Sequence, residues 1–318
     1  KPLPLKPTTK HGAFLLKKHS FFKLAALSLI AASFFSCKST PDLAPVDAFE
    51  LLDSDAALYL TVPVQANQEF VTAAVRKIAN VAESDAQKIA ERLDTAYIAI
   101  DSKNELQLSA SGNIPTSFVG LALSEKNGWQ AGAVEGQLAY THKQTGYQLC
   151  LPSSSNAFLS RDISPMVEKF NRIAYADFPA EKVPAEVAQN SENQQKLLSE
   201  TIGEKQFQYL HEKLTGDIML YSPNPRIFIK NFIGALDVNT SVTSVYANLS
   251  QYRGVKEQFN VKMILNLADA RTVKATIALL KVGFFGSAIP AKVVQTGQSQ
   301  ITITDLPVTQ AQLLSVLR

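Results

Sequence analysis

Two cysteines in 318 residues, at Cys37 and Cys150, are too few for a disulfide framework. Small secreted domains often need such a framework, but a chain of this length can bury a stabilising core without one. Histidine is almost as scarce. Of the four, only His142 and His211 lie beyond residue 36, and neither has a second ligand residue at the spacing that zinc or iron uses. Glycine-rich phosphate loops are missing, with no Gly-x-Gly-x-x-Gly and no Gly-x-x-x-x-Gly-Lys-Ser/Thr, and there is no Gly-x-Ser-x-Gly elbow. No metal, no cofactor and no catalytic residue is therefore expected, and the chain does not read as an enzyme. His142 and His211 read as plain polar residues. Asp53 and Asp55 read as turn chemistry ahead of a strand, where Asp side chains bond their own backbone.

A basic surplus is also missing from most of the chain. The formal charge is +3, but residues 1–36 hold six lysines and no acid. Taking those six from the 31 basic residues leaves 25 against 28 acidic ones, or −3 for Cys37–Arg318. A phosphate-binding domain concentrates positive charge on one face. Nucleic acid is not an expected partner.

What is present stands at the start. Lys17, Lys18 and Lys23 precede an apolar or small-residue run from Leu24 to Ser36, which stops at Cys37 and gives way to Lys38-Ser39-Thr40-Pro41-Asp42. A basic segment, a short apolar segment and a small residue before the cut describe a secretory signal peptide. The run of about 13 residues is shorter than the roughly 20 needed to span a bilayer core. Ordinary secretion and a retained anchor are the alternatives to the reading that follows.

With Phe34-Phe35-Ser36-Cys37 at its end, the segment resembles a bacterial lipoprotein signal of the looser, spirochaetal kind. The resemblance implies that Cys37 becomes the lipidated first residue of the mature chain, carrying two or three acyl chains such as palmitate. The partner it implies is a membrane, held through a lipid anchor in the cell envelope. Lys38-Ser39 lacks the Asp that resembles an inner-membrane retention signal, so the outer membrane is preferred. Cys150, in the alternating stretch Tyr147–Leu151, reads as a small buried hydrophobe, with a reactive thiol as the minority reading.

Five segments are expected: the signal at 1–36, the lipidated cysteine and an extended tether at 37–48, an α+β domain at 49–178, a linker at 179–200 and a second α+β domain at 201–318. The tether, with Pro41 and Pro45, reaches at most about 35 Å at roughly 3.3 Å per residue. Ala57–Val62 is a strand stopped at Pro63. Phe70, Val71, Ala74, Val75 and Ile78 recur at helical spacing, and Ile89 and Leu93 suggest a second helix. Tyr97–Ile100 and Leu106–Ala110 flank a hairpin turn at Asp101–Asn104. A helix is expected near Thr116–Leu123 and a three-strand meander over Gly128–Leu151. A further helix carries Leu197, Ile202, Phe207, Leu210 and Leu214.

The second half opens in the same order, with a strand at Asp217–Tyr221 and a helix bearing Ile227, Phe228 and Phe232. Strands at Val242–Leu249 and Phe259–Leu267 follow. Asp269 caps a helix whose Val273, Ile277, Leu280 and Phe284 share one face. Val293–Thr304 is a last strand or hairpin and Val308–Leu317 a final helix. Repeated strand, helix, strand, strand, helix, strand order predicts an α+β fold of two ferredoxin-like, split βαβ antiparallel-sheet domains, with internal duplication as a hypothesis.

Candidate contact residues are Phe284 and Phe285 in Gly283-Phe-Phe-Gly286 and Trp129 after Gly128. The favoured reading of the pair is burial, with Gly283 near the helix end, Phe284 completing the apolar face and Phe285 under the following strand. An exposed wedge for a partner or bilayer is the alternative, and Trp129 is balanced between core and binding surface. The expected function is a lipid-anchored envelope protein that binds another envelope component or gives structural support. The alternative is a ligand-binding lipoprotein that holds a small or apolar molecule between its two domains.

Overall fold

The computed structural model describes residues 43–115, 123–179, 183–188, 195–211, 216–225, 242–252, 255 and 257–317. Chain contacts divide the molecule into Lys1–Leu43 and Ala44–Arg318, with no further division near the expected linker. Expected helices near Thr116–Leu123 and around Ile227–Phe232 lie almost wholly outside the described residues, as does Cys37.

Among the described residues one sheet of twelve strands runs through the second unit. Its strands are β1 (Leu58–Pro63), β2 (Leu93–Ile100), β3 (Leu106–Gly112), β4 (Trp129–Val134), β5 (Gln137–His142), β6 (Gln148–Cys150), β7 (Asn156–Ser160), β8 (Ile218–Ser222), β9 (Val242–Gln251), β10 (Gln258–Leu267), β11 (Lys292–Gly297) and β12 (Gln300–Thr309). They lie in the order β11-β12-β10-β9-β8-β1-β2-β3-β7-β6-β5-β4, and every pairing is antiparallel. The expected hairpin β2–β3 and meander β4–β5–β6 are both present.

Split βαβ domains are not what forms. In a split unit the two strands joined by the helix are parallel and another strand sits between them. Here β1 and β2, joined through α1 (Gln68–Ala79) and α2 (Glu83–Ala90), are direct antiparallel neighbours. The second half shows the same adjacency in β8 and β9. Two meanders, β1–β2–β3 and β8–β9–β10, therefore stand back to back and meet at β1–β8, where Leu60 faces Leu220. Ser222 Oγ donates to the Ala57 carbonyl at 2.6 Å across the same seam. The strand β7 and the helix α3 (Ser164–Ala174), which follow it in sequence, were not among the expected elements.

Alternation along the strands builds a layer on each face. Leu58, Leu60 and Val62 point to one face with Ile98, Leu220, Leu249, Val261 and Ile303, forming one apolar cluster across both halves. Phe70 of α1 meets Phe259 of β10 edge-on there at 5.9 Å. Tyr59, Tyr97 and Tyr221 point to the other face. Phe49 packs on Tyr97 at 5.1 Å and on Phe207 of α4 (Glu204–His211) at 5.1 Å. Phe158 meets Phe170 of α3 at 6.3 Å. Lys169 of α3 is buried and donates from Nζ to the Leu52 carbonyl at 2.5 Å, with Asp53 at 3.5 Å. That contact fixes the segment where the chain enters the fold, because the backbone N–H of Ala44 also bonds the last residue of α3, Ala174.

Leu60→Ala removes a buried side chain at the seam, so it is expected to cost about 2–5 kcal/mol. Fluorescence of Trp129, in the first half, and far-ultraviolet dichroism should then lose structure in one coincident denaturant transition. Two separated transitions would show two independent domains instead.

Candidate functional site

The helix α5 (Val273–Gly286) departs most from what a sheet-covering helix needs. Asp269 caps the 3-10 turn Ala270–Thr272 ahead of it, its carboxylate accepting from the Arg271 backbone N–H. Val273, Thr276, Leu280 and Phe284 then turn inward and are buried. A surface helix normally carries polar residues on the opposite side. This one carries Ala275, Ala278, Leu279, Val282 and Phe285 there. Phe285 is 89% exposed, Val282 71% and Leu279 50%. At about 100° per residue these side chains fall in one stripe, and Lys274 and Lys281 fall along one flank of it. Beside α5 lies β11, an edge strand, whose Val294 is also exposed.

The two adjacent phenylalanines have opposite fates. Phe284 is 2% exposed and belongs to the core, so it is not a contact residue. The helix continues through Gly283, and one residue step turns Phe285 outward. Trp129 is 1% exposed and is likewise core rather than contact surface. Its ring meets that of His142, its partner across β4–β5, at 4.9 Å. Gly128 takes φ 83° directly before it, and a side chain there would press on the His142 ring at 3.2 Å.

The titratable groups singled out in the sequence do not converge. His142 is buried with Nδ1 3.0 Å from Thr145 Oγ1. His211 lies on the other half, 2.6 Å from Asp47 Oδ2 and stacked on Phe207 at 5.4 Å. Among the described residues no group of three or more His, Cys, Asp or Glu side chains is placed to hold a metal. Asp53 takes part in more than turn chemistry, since it binds the Gln107 side chain as well as lying near Lys169. Cys150 is fully buried, and burial pushes its thiol up to about 12.

A second feature lies under α1 and α2. A partly open cavity of about 160 Å³ lies between these helices and the sheet, lined by Phe70, Val75, Ile78, Ile89 and Leu108 among other apolar residues. Lys88 and Arg92 are the basic residues on its wall. It sits within the first half; the halves join through β1–β8, and a wider, open and largely polar pocket of about 1070 Å³ lies where α1 and α2 face Glu257 and Gln310. No described helix is long and apolar enough to cross a membrane.

A family model described as "Outer membrane-associated lipoprotein TP0453" matches residues 43–314. Three crystal structures of TP0453 resemble this fold. Form I superposes with a TM-score of 0.60 at 19% identity, covering 86% of this chain and 97% of that one. Form III gives 0.60 at 19%, covering 86% and 98%, and form IV gives 0.56 at 20%, covering 86% and 97%. No curated protein matches by sequence.

Cys150 supplies a pH test on residues 44–318. The unfolded thiol ionises near 8.5, whereas burial holds the folded one up to about 12. A group held above its unfolded value stabilises the fold fully below the lower figure and loses that contribution as pH rises through the higher one. Native protein at pH 9 should therefore resist thiol reagents and react at the rate of global unfolding. Rapid labelling of folded protein would show a reactive thiol instead.

Proposed function

The chain belongs to the TP0453 family of outer membrane-associated lipoproteins, and from that premise we propose a lipid-anchored envelope protein that presses a second surface, the outer stripe of α5, onto the bilayer. In this reading the leader is removed and Cys37 carries the acyl chains. Each buried methylene contributes about 0.8 kcal/mol, so two or three chains attach the protein durably. The envelope component that the protein binds is then the membrane itself.

One observation carries the docking step: Phe285 stands 89% exposed on a helix that is apolar on both sides. Burying a Phe, Leu or Val side chain is worth roughly 1.5–3 kcal/mol, so the partly exposed stripe offers on the order of 5 kcal/mol before ordering costs. Lys274 and Lys281 sit where long side chains reach the headgroup layer while their stems lie along apolar surface. The lipid anchor keeps the stripe close to the membrane at high effective concentration, so modest affinity suffices. Binding is the proposed role; His142 is held by Thr145 and His211 by Asp47.

The cavity favours a second reading, in which the protein holds an apolar ligand. At about 160 Å³ it suits a benzene-sized or short alkyl group, below the roughly 300–1,000 Å³ of typical ligand pockets. Copurification of a lipid or fatty acid, seen by native mass spectrometry, would favour it.

For the leading reading, residues 44–318 are mixed with vesicles containing anionic phospholipid and floated. Val282→Glu with Phe285→Glu should lower bound protein at least about 10-fold while leaving the melting temperature nearly unchanged, since exposed substitutions cost little stability. Equal flotation of variant and parent would remove α5 from the membrane contact. Mass spectrometry of the native mature N-terminus should show acylated Cys37, and an unmodified Cys37 would remove the anchor.

A further inference from the structure

The two edges of the sheet are built differently. At β11 the edge carries Lys292, and its pairing with β12 slips between Gln295 and Gly297. A charge and an irregularity are the usual devices that keep an edge from pairing with another chain. At β4 neither device is present. Trp129-Gln-Ala-Gly-Ala-Val134 has no charge and no proline, and its pairing with β5 runs without a slip.

The backbone pattern shows which groups this edge offers. The Lys143 N–H bonds the Gly128 carbonyl at 2.8 Å, which makes Gly128 and Lys143 a hydrogen-bonded pair. Bonded and non-bonded pairs alternate in an antiparallel ladder, so Gln130, Gly132 and Val134 bond inward to β5. Ala131 and Ala133 therefore turn their N–H and C=O groups away from the sheet. Both residues are exposed, and those groups have no partner among the described residues. At Trp129 the outward N–H is already taken by the Ser124 carbonyl at 3.2 Å, which limits the open stretch to the segment after it.

We propose that this edge pairs with the same edge of a second copy, antiparallel about a two-fold axis at Gly132. That axis places Ala131 of one copy opposite Ala133 of the other, twice over, and both residues are the outward-facing kind that the register needs. Two such pairs exchange about four backbone hydrogen bonds. No side chain blocks the approach, since the facing residues are alanines and glycine. Same-face alignment also sets the exposed Leu138 (57%) and the half-buried Tyr140 of each copy beside the new seam. A segment complementary to itself in hydrogen-bond phase, size and lack of charge fits a second copy better than an unrelated strand. A contact this small is weak in dilute solution. Anchoring both copies to one membrane would raise their effective concentration.

Gly132 gives a direct probe. At the two-fold it faces its own counterpart in a non-bonded pair, about 4.5 Å apart at Cα, within disulfide reach. A side chain there meets nothing within 4 Å in the single chain, so Gly132→Cys is free of clash. Residues 44–318 carrying Gly132→Cys should cross-link on mild oxidation at least about 10-fold faster than a Gln130→Cys control, whose counterpart is Val134 in this register. Adding Ala131→Lys should abolish that advantage with no change in melting temperature, and parent protein should sediment as a monomer–dimer mixture at sub-millimolar concentration. Equal cross-linking at both positions, a purely monomeric parent, or a ladder of oligomers larger than dimers would each overturn the proposal. The ladder would indicate β4 pairing with β11 of the next copy.

Discussion

Three residue pairs hold this architecture together: Tyr59 with Tyr221, Leu60 with Leu220, and Thr61 with Met219. They join β1 to β8 and make one sheet from two meanders that would otherwise each end in a bare edge at the same place. Both layers follow from that seam. Leu60 and Leu220 extend one apolar cluster beneath α1, α5 and α6 (Gln310–Val316), while Tyr59 and Tyr221 extend the opposite layer toward α4. At β1–β8 an antiparallel pairing joins the halves, and the open pocket where α1 and α2 face Glu257 and Gln310 is lined mostly by polar side chains.

A filled seam moves the functional question to the surface. Apolar residues in a helix that covers one side of a sheet need only one stripe, and α5 has two. The second stripe is not required for folding, since Val273, Leu280 and Phe284 already fill the inward side. Exposed contiguous apolar surface carries a solubility cost that a solitary protein in water would avoid. A protein of an outer membrane-associated family has a bilayer within reach, and in the proposed function the stripe is its contact surface. In the proposed reading an acylated Cys37 would supply residence at the membrane and the stripe would supply orientation.

Local signals in the sequence were legible where short-range chemistry decides structure. Pro63 ends β1, the Asp101–Asn104 turn closes the β2–β3 hairpin, and Asp269 caps the turn before α5. Which strands become neighbours was not legible, because β1 beside β8 is a contact across more than 150 residues with no local mark. Repeated element order suggested split βαβ units, and only the pairing shows the two meanders. The run Ser153-Ser154-Ser155 reads as loop and hid β7 behind it, although Pro165 in the first turn of α3 was an available helix signal. Reading Gly283 as near the helix end leaves Phe284 on the apolar face and puts Phe285 under the following strand rather than in the open. Once the helix is known to run to Gly286, a rotation of about 100° per residue separates them.

The central claim is that the α5 stripe enters the headgroup and upper acyl region of a membrane. A single indole at position 285 reports this most directly. In a Trp129→Phe background, Phe285→Trp should emit at the long wavelength of a water-exposed indole when free. On anionic vesicles it should shift to shorter wavelength and be quenched by phospholipids brominated near the glycerol end of their chains. Emission that stays at long wavelength and escapes quenching, on vesicles that demonstrably bind the protein, would contradict the account.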